Sequence, residues 1–302
     1  MNSRVYFIIV CYESDPELLI ENVNRLALEC CGGVVVDNSE GKKNEALENA
    51  VNKAGENFIL INNEVNRGIA VAINQGVEKA LASDADFFLL MDDDSTFEND
   101  ALTNMLQAYK DLLSAGERVA AVGPCFVDKV TGKTGVYPVF RGIRTERHHC
   151  SSIGGERFRS EYLMTSGSLI SRVAIETVGL MREELFIDLV DTEWCLRARS
   201  LGWCCYVVCD AKMDHRFGSR TLPLIKVSYR PPVRHYYIYR NSIRVLGLAH
   251  IPLAWKFLQL AYLLKLFFLL LLLPADRFSQ IKYLLKGIVH GFLGKMDPIE
   301  GS

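Results

Sequence analysis

Apolar and polar positions along the first hundred residues fall into a strand-helix alternation. Val5–Cys11 is an almost unbroken apolar run, which reads as a strand buried on both faces. Asp15-Pro16 follows, and a proline in the first turn suits a helix start. Residues 33–36 form a second strand ending at Asp37-Asn38-Ser39. Residues 44–54 are helical, 58–61 are a third strand, and 68–82 are a further strong helix. Residues 87–91 are a fourth strand that runs into Asp92-Asp93-Asp94. Short apolar strands separated by helices predict a mostly parallel α/β sheet with ligand at the strands' C-terminal ends.

From Val119 to Arg159 the pattern breaks into short strands and a polar, Gly/Arg/His-rich stretch, read as loops over the site. Regularity returns over 164–171, then a helix through Val178, residues 185–188, a helix over 190–201 and a strand over 203–208. Past Arg220 the character changes. Residues 251–273 are mostly apolar, and a spanning helix needs roughly 20 such residues. Lys256 and Lys265 lie on opposite sides of that helix, so no rotation hides both. Each would cost about 2.5–3.5 kcal/mol at the bilayer centre. In 279–294, Ile281, Leu284, Leu285, Ile288 and Phe292 share one face, and Lys282, Lys286 and His290 another. That is an interfacial pattern. The expectation is peripheral membrane association, with a true span or a homodimer interface as alternatives.

Composition sharpens this division. Net charge is only −2, yet 14 of the 34 Lys/Arg and four of the 36 Asp/Glu lie after Asp210. The first 210 residues therefore carry −12 and the last 92 carry +10. A basic tail interleaved with Leu and Phe suits an anionic membrane surface, and the acidic body argues against a nucleic-acid partner. Nine cysteines without CxxC or Cys/His spacing argue against zinc. The doublets Cys30-Cys31 and Cys204-Cys205 read as small buried hydrophobes in a reduced cytosol. The apolar run at Val5 is too short for a signal peptide, so none is expected.

Four pieces could carry chemistry. Asp92-Asp93-Asp94 at the end of a buried strand suits a divalent cation with a pyrophosphate, or else starts a helix after a solvated turn. Asn66-Arg67-Gly68 opens a helix of small residues, an arrangement suited to phosphate, or else is a tight turn with a surface arginine. Asp191 and Glu193 open another helix, as caps or with a carboxylate poised as general base. His215 follows the last strand, where a lone histidine is more often structural.

Taken in order, Asp37, Asn66-Arg67-Gly68, Asp92-x-Asp94, Asp191-Thr192-Glu193-Trp194 and His215 resemble the inverting, GT-A-fold glycosyltransferases of family 2 over about residues 4–218. Phe186-Ile187-Asp188-x-Val190-Asp191-x-Glu193-Trp194-Cys195-Leu196-Arg197 and Tyr239-Arg240-Asn241-Ser242 are most similar to bacterial rhamnosyltransferases, with galactofuranosyltransferases as relatives. The resemblance implies a catalytic domain over 1–218 and a membrane-associating helical region over 219–302. It implies that Asp37 recognises the pyrimidine base and Arg67 contacts donor phosphate or ribose. Asp92 and Asp94 would bind Mg2+ or Mn2+, with Asp93 near the nucleotide, Asp191 as the base and His215 as third metal ligand. Cys11-Tyr12-Glu13 departs from the commoner Thr/Ser-Tyr/Phe-Asn at the first strand.

The implied donor is dTDP-L-rhamnose, and the acceptor a polyprenyl-diphosphate-linked saccharide of an O-antigen-like polysaccharide, met at the cytoplasmic face of the inner membrane. A UDP-sugar-dependent galactofuranosyl- or hexosyltransferase and a non-catalytic carbohydrate-binding subunit are the rivals. A nucleotidyltransferase would want a basic, Gly-rich loop after the first strand, where Cys11-Tyr12-Glu13-Ser14 stands.

Overall fold

In the computed structural model, which describes residues 3–41, 44–128, 134–150, 155–215, 230–272 and 276–299, strands and helices alternate from the start. The first half runs β1 (Val5–Cys11), α1 (Pro16–Glu29), β2 (Gly32–Asp37), α2 (Glu45–Ala54), β3 (Phe58–Asn62), α3 (Ile69–Leu81) and β4 (Phe87–Asp92). Then come β5 (Thr96–Phe97), α4 (Ala101–Ser114), β6 (Val119–Asp128), β7 (Tyr137–Arg141), β8 (Arg144–His148), β9 (Arg157–Ser160) and β10 (Leu169–Ser171). The rest is α5 (Arg172–Val178), a 3-10 turn Glu183–Leu185, α6 (Val190–Ser200), β11 (Cys204–His215), α7 (Pro232–Leu246), α8 (Leu253–Leu272) and α9 (Arg277–Leu293).

The main sheet has the order β3-β2-β1-β4-β10-β6-β11-β5, with β9 paired on β11. β3, β2, β1 and β4 are parallel, and β10 enters antiparallel between β4 and β6. This is the mostly parallel sheet expected, of the GT-A kind. β1, β2 and β4 are apolar on both faces because helices cover both sides. Their parallel register brings Cys11, Asp37 and Asp92 to one end of the sheet. Asp15 caps α1 by accepting from the Glu17 N–H, with Pro16 in the first turn as expected.

The structure departs from expectation in specific places. Asp92-Asp93-Asp94 does not start a helix: β5 follows, and α4 begins at Ala101. Residues 164–168 form a turn rather than strand, and only Leu169–Ser171 pairs. Residues 186–189 form an irregular turn, described below. The last strand continues past Val208 to His215, because a bulge between Val208 and Lys212 keeps it paired with β6. Part of 119–159 is regular: β6 is ten residues long, β7 and β8 form a hairpin, and β9 extends the sheet. Cys30, Cys204 and Cys205 are buried as expected, and Cys31 is exposed. Cys150 is joined to Cys209 in a disulfide, a pair that the sequence reading did not single out. Their separation of 59 residues carries no spacing signal.

The C-terminal helices pack on one another and on the sheet domain; the expected boundary at residues 218 and 219 lies outside the described residues. α8 buries Ala254, Trp255, Gln259, Leu263, Leu266 and Leu270 along one stripe. Its other faces expose Phe257, Leu264, Phe268 and Leu272. α9 seats Leu284, Gly287 and Gly291 inward and leaves Leu285, Val289 and Phe292 exposed, splitting the apolar face read from the sequence.

One buried charge ties these layers together. Glu193 of α6 is fully buried and meets Arg182 at 3.2 Å, Arg197 at 3.1 Å and His250 at 2.9 Å. His250 precedes α8, so the contact reaches across to the C-terminal helices. Removing one partner of such a buried group costs about 3–5 kcal/mol, because the others lose their counter-charge. Glu193→Gln should therefore lower the thermal midpoint by several degrees, measured by circular dichroism. An unchanged midpoint would mean the cluster is solvated.

Candidate active site

A cavity of about 610 Å3 opens at the C-terminal ends of β1 and β4. Its floor holds Tyr12, Asn38, Asn66, Gly68, Asp92 and Asp93, and its far wall Thr165, Asp188, Asp191, Arg230 and Arg234. The floor is built from the turns that follow parallel strands. Asn38, just past β2, accepts from the Arg67 N–H at 3.0 Å and from Asn63 at 3.0 Å, and donates to Asn66 at 3.0 Å. Asn66 in turn accepts from the Gly68 N–H at 3.0 Å. Gly68 has φ 81°, and a Cβ there would fall 2.5 Å from the Phe186 ring. Only glycine combines that backbone with so close an approach.

β4 ends at Asp92, whose N–H donates to the Ser166 hydroxyl at 3.0 Å. Asp93 is held by the Ser14 hydroxyl and, through its carbonyl, by Asn22 at 2.7 Å. The turn at 164–168 spans both sides of the cavity. Ser166 serves Asp92, while the Thr165 N–H donates to Asp191 at 3.2 Å. Asp191 lies in the first turn of α6 and also accepts from the Thr192 N–H at 2.6 Å. The residue capping α6 is Leu189, in the left-handed region and without a side-chain cap bond. The Asp191 side chain is therefore not the N-cap of the helix.

Asp188 and Glu193, the neighbouring carboxylates, are taken up elsewhere. Asp188 pairs with Arg230 at 3.2 Å and Arg234 at 2.7 Å, and Glu193 with Arg182 and Arg197. Among the described residues, Asp191 accepts only from neutral donors.

Burial dominates the electrostatics. It pushes the Asp92 carboxyl up to about 7, helped by the charges of Asp94, Asp93 and Asp191. Burial also raises Asp93 against the Ser14 hydrogen bond, and raises Asp191 against its backbone and Thr192 bonds. The Cys11 thiol is pushed up by burial and by Asp37 and Asp93.

The structure thus brings Asp92, Asp93 and Asp191 into one cavity. Asp94 is exposed beside them, next to Ser95. Asp37 is buried behind the floor, accepting from the Ser39 N–H at 3.0 Å. Arg67 presents only its backbone to the network, and its side chain is exposed and outside the lining. The His215 side chain lies outside the described residues. Among the described residues, no three His, Cys, Asp or Glu side chains converge as a metal cage. Sequence reasoning missed Tyr12, Thr165, Arg230 and Arg234. The two arginines had been counted within the basic tail, where nothing marks them as facing a cavity.

Residues 6–184 match the family described as Glycosyl transferase family 2. The chain is a family 2 glycosyltransferase. Along its whole length this glycosyltransferase is 34% identical to the dTDP-rhamnosyl transferase RfbF of Shigella flexneri, covering 97% of that protein. It shares its fold with S. aureus TarS 1-349 in complex with UDP-GlcNAc, at TM-score 0.56 and 17% identity over 95% of this chain and 81% of TarS. It also resembles GalNAc-T7 with UDP, GalNAc and Mn2+, at TM-score 0.54 and 12% identity over 87% of this chain. The glycosyltransferase spans 57% of the GalNAc-T7 chain.

The Asp92 environment gives a testable pH dependence. The unfolded carboxyl titrates near 3.8 and the folded one near 7, so the folded state holds a proton that the unfolded state has lost. Stability must then fall as pH rises through that window in cation-free protein. Asp92→Asn removes the penalty and should melt higher than wild type at about pH 8 but not at about pH 4, by scanning calorimetry in chelator. An equal gain at both pH values would contradict a burial-driven shift.

Proposed function

We propose that this glycosyltransferase moves L-rhamnose from dTDP-L-rhamnose, with inversion, to a saccharide hydroxyl on a polyprenyl diphosphate lipid. The setting is synthesis of an O-antigen-like surface polysaccharide at the cytoplasmic face of the inner membrane. The observation that carries the reaction is Asp191, a half-buried carboxylate without a cationic partner among the described residues, in the same cavity as Asp92 and Asp93. Burial raises its proton affinity, which moves a carboxylate toward the working range of a general base. Asp191 takes the acceptor hydroxyl proton as that oxygen bonds to the anomeric carbon. The bond from that carbon to the diphosphate oxygen breaks on the opposite face, and dTDP leaves. Support for the donor is the 34% full-length identity to a dTDP-rhamnosyl transferase.

A divalent cation fits the floor. Asp92 is raised by burial and by the neighbouring carboxylates, a repulsion that Mg2+ or Mn2+ relieves through hard oxygen ligands. Asp92 and Asp94 would hold it, with His215 as a third ligand. When bound, it would neutralise charge on the departing diphosphate. Asn38, Asn66 and Tyr12 would line the nucleotide side, and Arg230 and Arg234 the acceptor side.

Nucleotide-sugars tested one by one with Mg2+ or Mn2+ should give the fastest slow hydrolysis with dTDP-L-rhamnose. Asp191→Asn is nearly isosteric but cannot take the proton, so its kcat should fall by roughly 10²–10⁴ with donor affinity little changed. Full turnover in excess chelator would remove the cation, and faster turnover of a UDP-sugar would move the donor assignment.

Attachment to the bilayer is read as peripheral. α8 has the length and apolarity to cross a membrane, but one stripe of it is buried against the protein. Its exposed Phe257 and Phe268, with Phe278 and Phe292 of α9, offer apolar side chains beside Lys265, Lys282 and Lys286. Anionic vesicles should bind the protein in low salt and release it in high salt, at about 1 kcal/mol per basic residue. Phe278→Asp with Phe292→Asp should weaken that binding and leave donor affinity intact. Resistance to both salt and alkaline extraction would point to a spanning helix instead.

A further inference from the structure

The Tyr239-Arg240-Asn241-Ser242 motif has no part in the chemistry so far, yet it lies on α7 directly behind the cavity. Arg240 and Asn241 are fully buried. The Asn241 amide nitrogen donates to the carbonyls of Leu185 at 2.7 Å, Ile187 at 2.6 Å and Asp188 at 3.1 Å. Its oxygen accepts from Arg240 Nε at 3.0 Å, so the amide is oriented from behind. Arg240 Nη2 donates to the carbonyls of Glu184 at 3.0 Å and Leu185 at 3.2 Å. Its Nη1 reaches the other way, to the carbonyls of Met296 at 2.9 Å and Asp297 at 3.0 Å.

The turn they grip has an unfavourable backbone. Phe186, Asp188 and Leu189 have φ of 60°, 64° and 63°, and none is glycine. Such residues stay in the left-handed region only where the surroundings hold them there. Phe186 is also stacked on Tyr237 of α7, with ring centroids 4.9 Å apart. Leu189 then caps α6, its carbonyl accepting from the Glu193 N–H at 2.9 Å, and Asp191 stands two residues further on. Close seating of α9 completes the arrangement. A Cβ at Gly287 would come within 2.4 Å of the Tyr236 carbonyl oxygen, and one at Gly291 within 2.8 Å of the Arg240 carbonyl oxygen.

We infer that Arg240 and Asn241 are positioning residues for glycosyl transfer: they clamp the turn 184–189 so that Asp191 faces the donor floor. The chain just beyond α9 anchors the clamp from behind. This rests on Asp191 being the base. A donor with two N–H groups and a guanidinium fork suits the task, because the turn presents the carbonyls of Glu184, Leu185, Ile187 and Asp188 toward α7. Within the turn, the Ile187 N–H donates to the Leu185 carbonyl at 2.6 Å. The loss of alignment that follows from removing either acts on the reaction step rather than on nucleotide binding, since Asn38, Asn66 and Asp92 lie on other elements.

The test compares Asn241→Ala, Asp191→Asn and their double variant in full-length protein, with kcat, dTDP affinity by calorimetric titration, and a thermal melt. Asn241→Ala should lower kcat about 10- to 100-fold, with dTDP affinity and folding at the assay temperature retained. Because it acts through Asp191, the double variant should be no slower than Asp191→Asn alone. Arg240→Lys, which keeps the charge and loses the fork, is the milder variant should Asn241→Ala not fold, and should show the same non-additivity. Gly291→Val should resemble it by displacing α9. Normal kcat in the clamp variants beside a slow Asp191→Asn would overturn the clamp and leave the base standing. Normal kcat in Asp191→Asn would remove both. Multiplying losses in the double variant, or a lost dTDP affinity, would place Asn241's effect elsewhere and overturn the proposal.

Discussion

Several carboxylates of like charge meet at one end of a buried sheet, and much of the structure around them answers that constraint. Asp92 ends β4 among Asp93, Asp94 and Asp191, and its raised proton affinity registers its burial first and the neighbouring charges second. Among the described residues, the group is met by neutral donors rather than cations: Ser166 at its backbone, Ser14 at Asp93, Thr165 and Thr192 at Asp191. Arginines are kept for Asp188 and Glu193, one step away from the reacting positions. Neutral donors fix the geometry without discharging the carboxylates, so the capacity to take a cation or a proton is preserved.

Much of this was legible in the sequence because it depends on local rules. Apolar runs at 5–11 and 87–91 had to be buried parallel strands, and Asp92 had to emerge at the sheet's ligand-binding end. The Asn66-Arg67-Gly68 turn was legible as a special backbone, since glycine before a helix of small residues signals close approach. The family followed from the order of these pieces, which no one of them carried alone.

What escaped was long-range. Asp188 carried no assigned partner in its motif; its arginines lie more than 40 positions later, in a stretch read as tail. Arg67 looked like a phosphate ligand, whereas the part of it that matters to the fold is its N–H. The turn at 186–189 looked regular because Phe, Ile, Leu and Val suggest extended chain. Its left-handed residues are imposed by α7, a tertiary effect that overrides local preference. The Cys150–Cys209 bond joins the segment after β8 to the bulge of β11, which only the three-dimensional path could bring together.

The placement of Cys31 has a practical consequence. Among the described residues with free thiols, Cys11, Cys30, Cys125, Cys195, Cys204 and Cys205 are buried, and Cys31 is exposed. It precedes β2, at the end of the parallel strands opposite Asp37 and the cavity. A maleimide fluorophore added to the folded protein should therefore attach there, a full strand length away from donor and acceptor. That gives the enzyme a native handle for following its encounter with vesicles or nucleotides by anisotropy, with no engineered cysteine and no dye at the reaction centre.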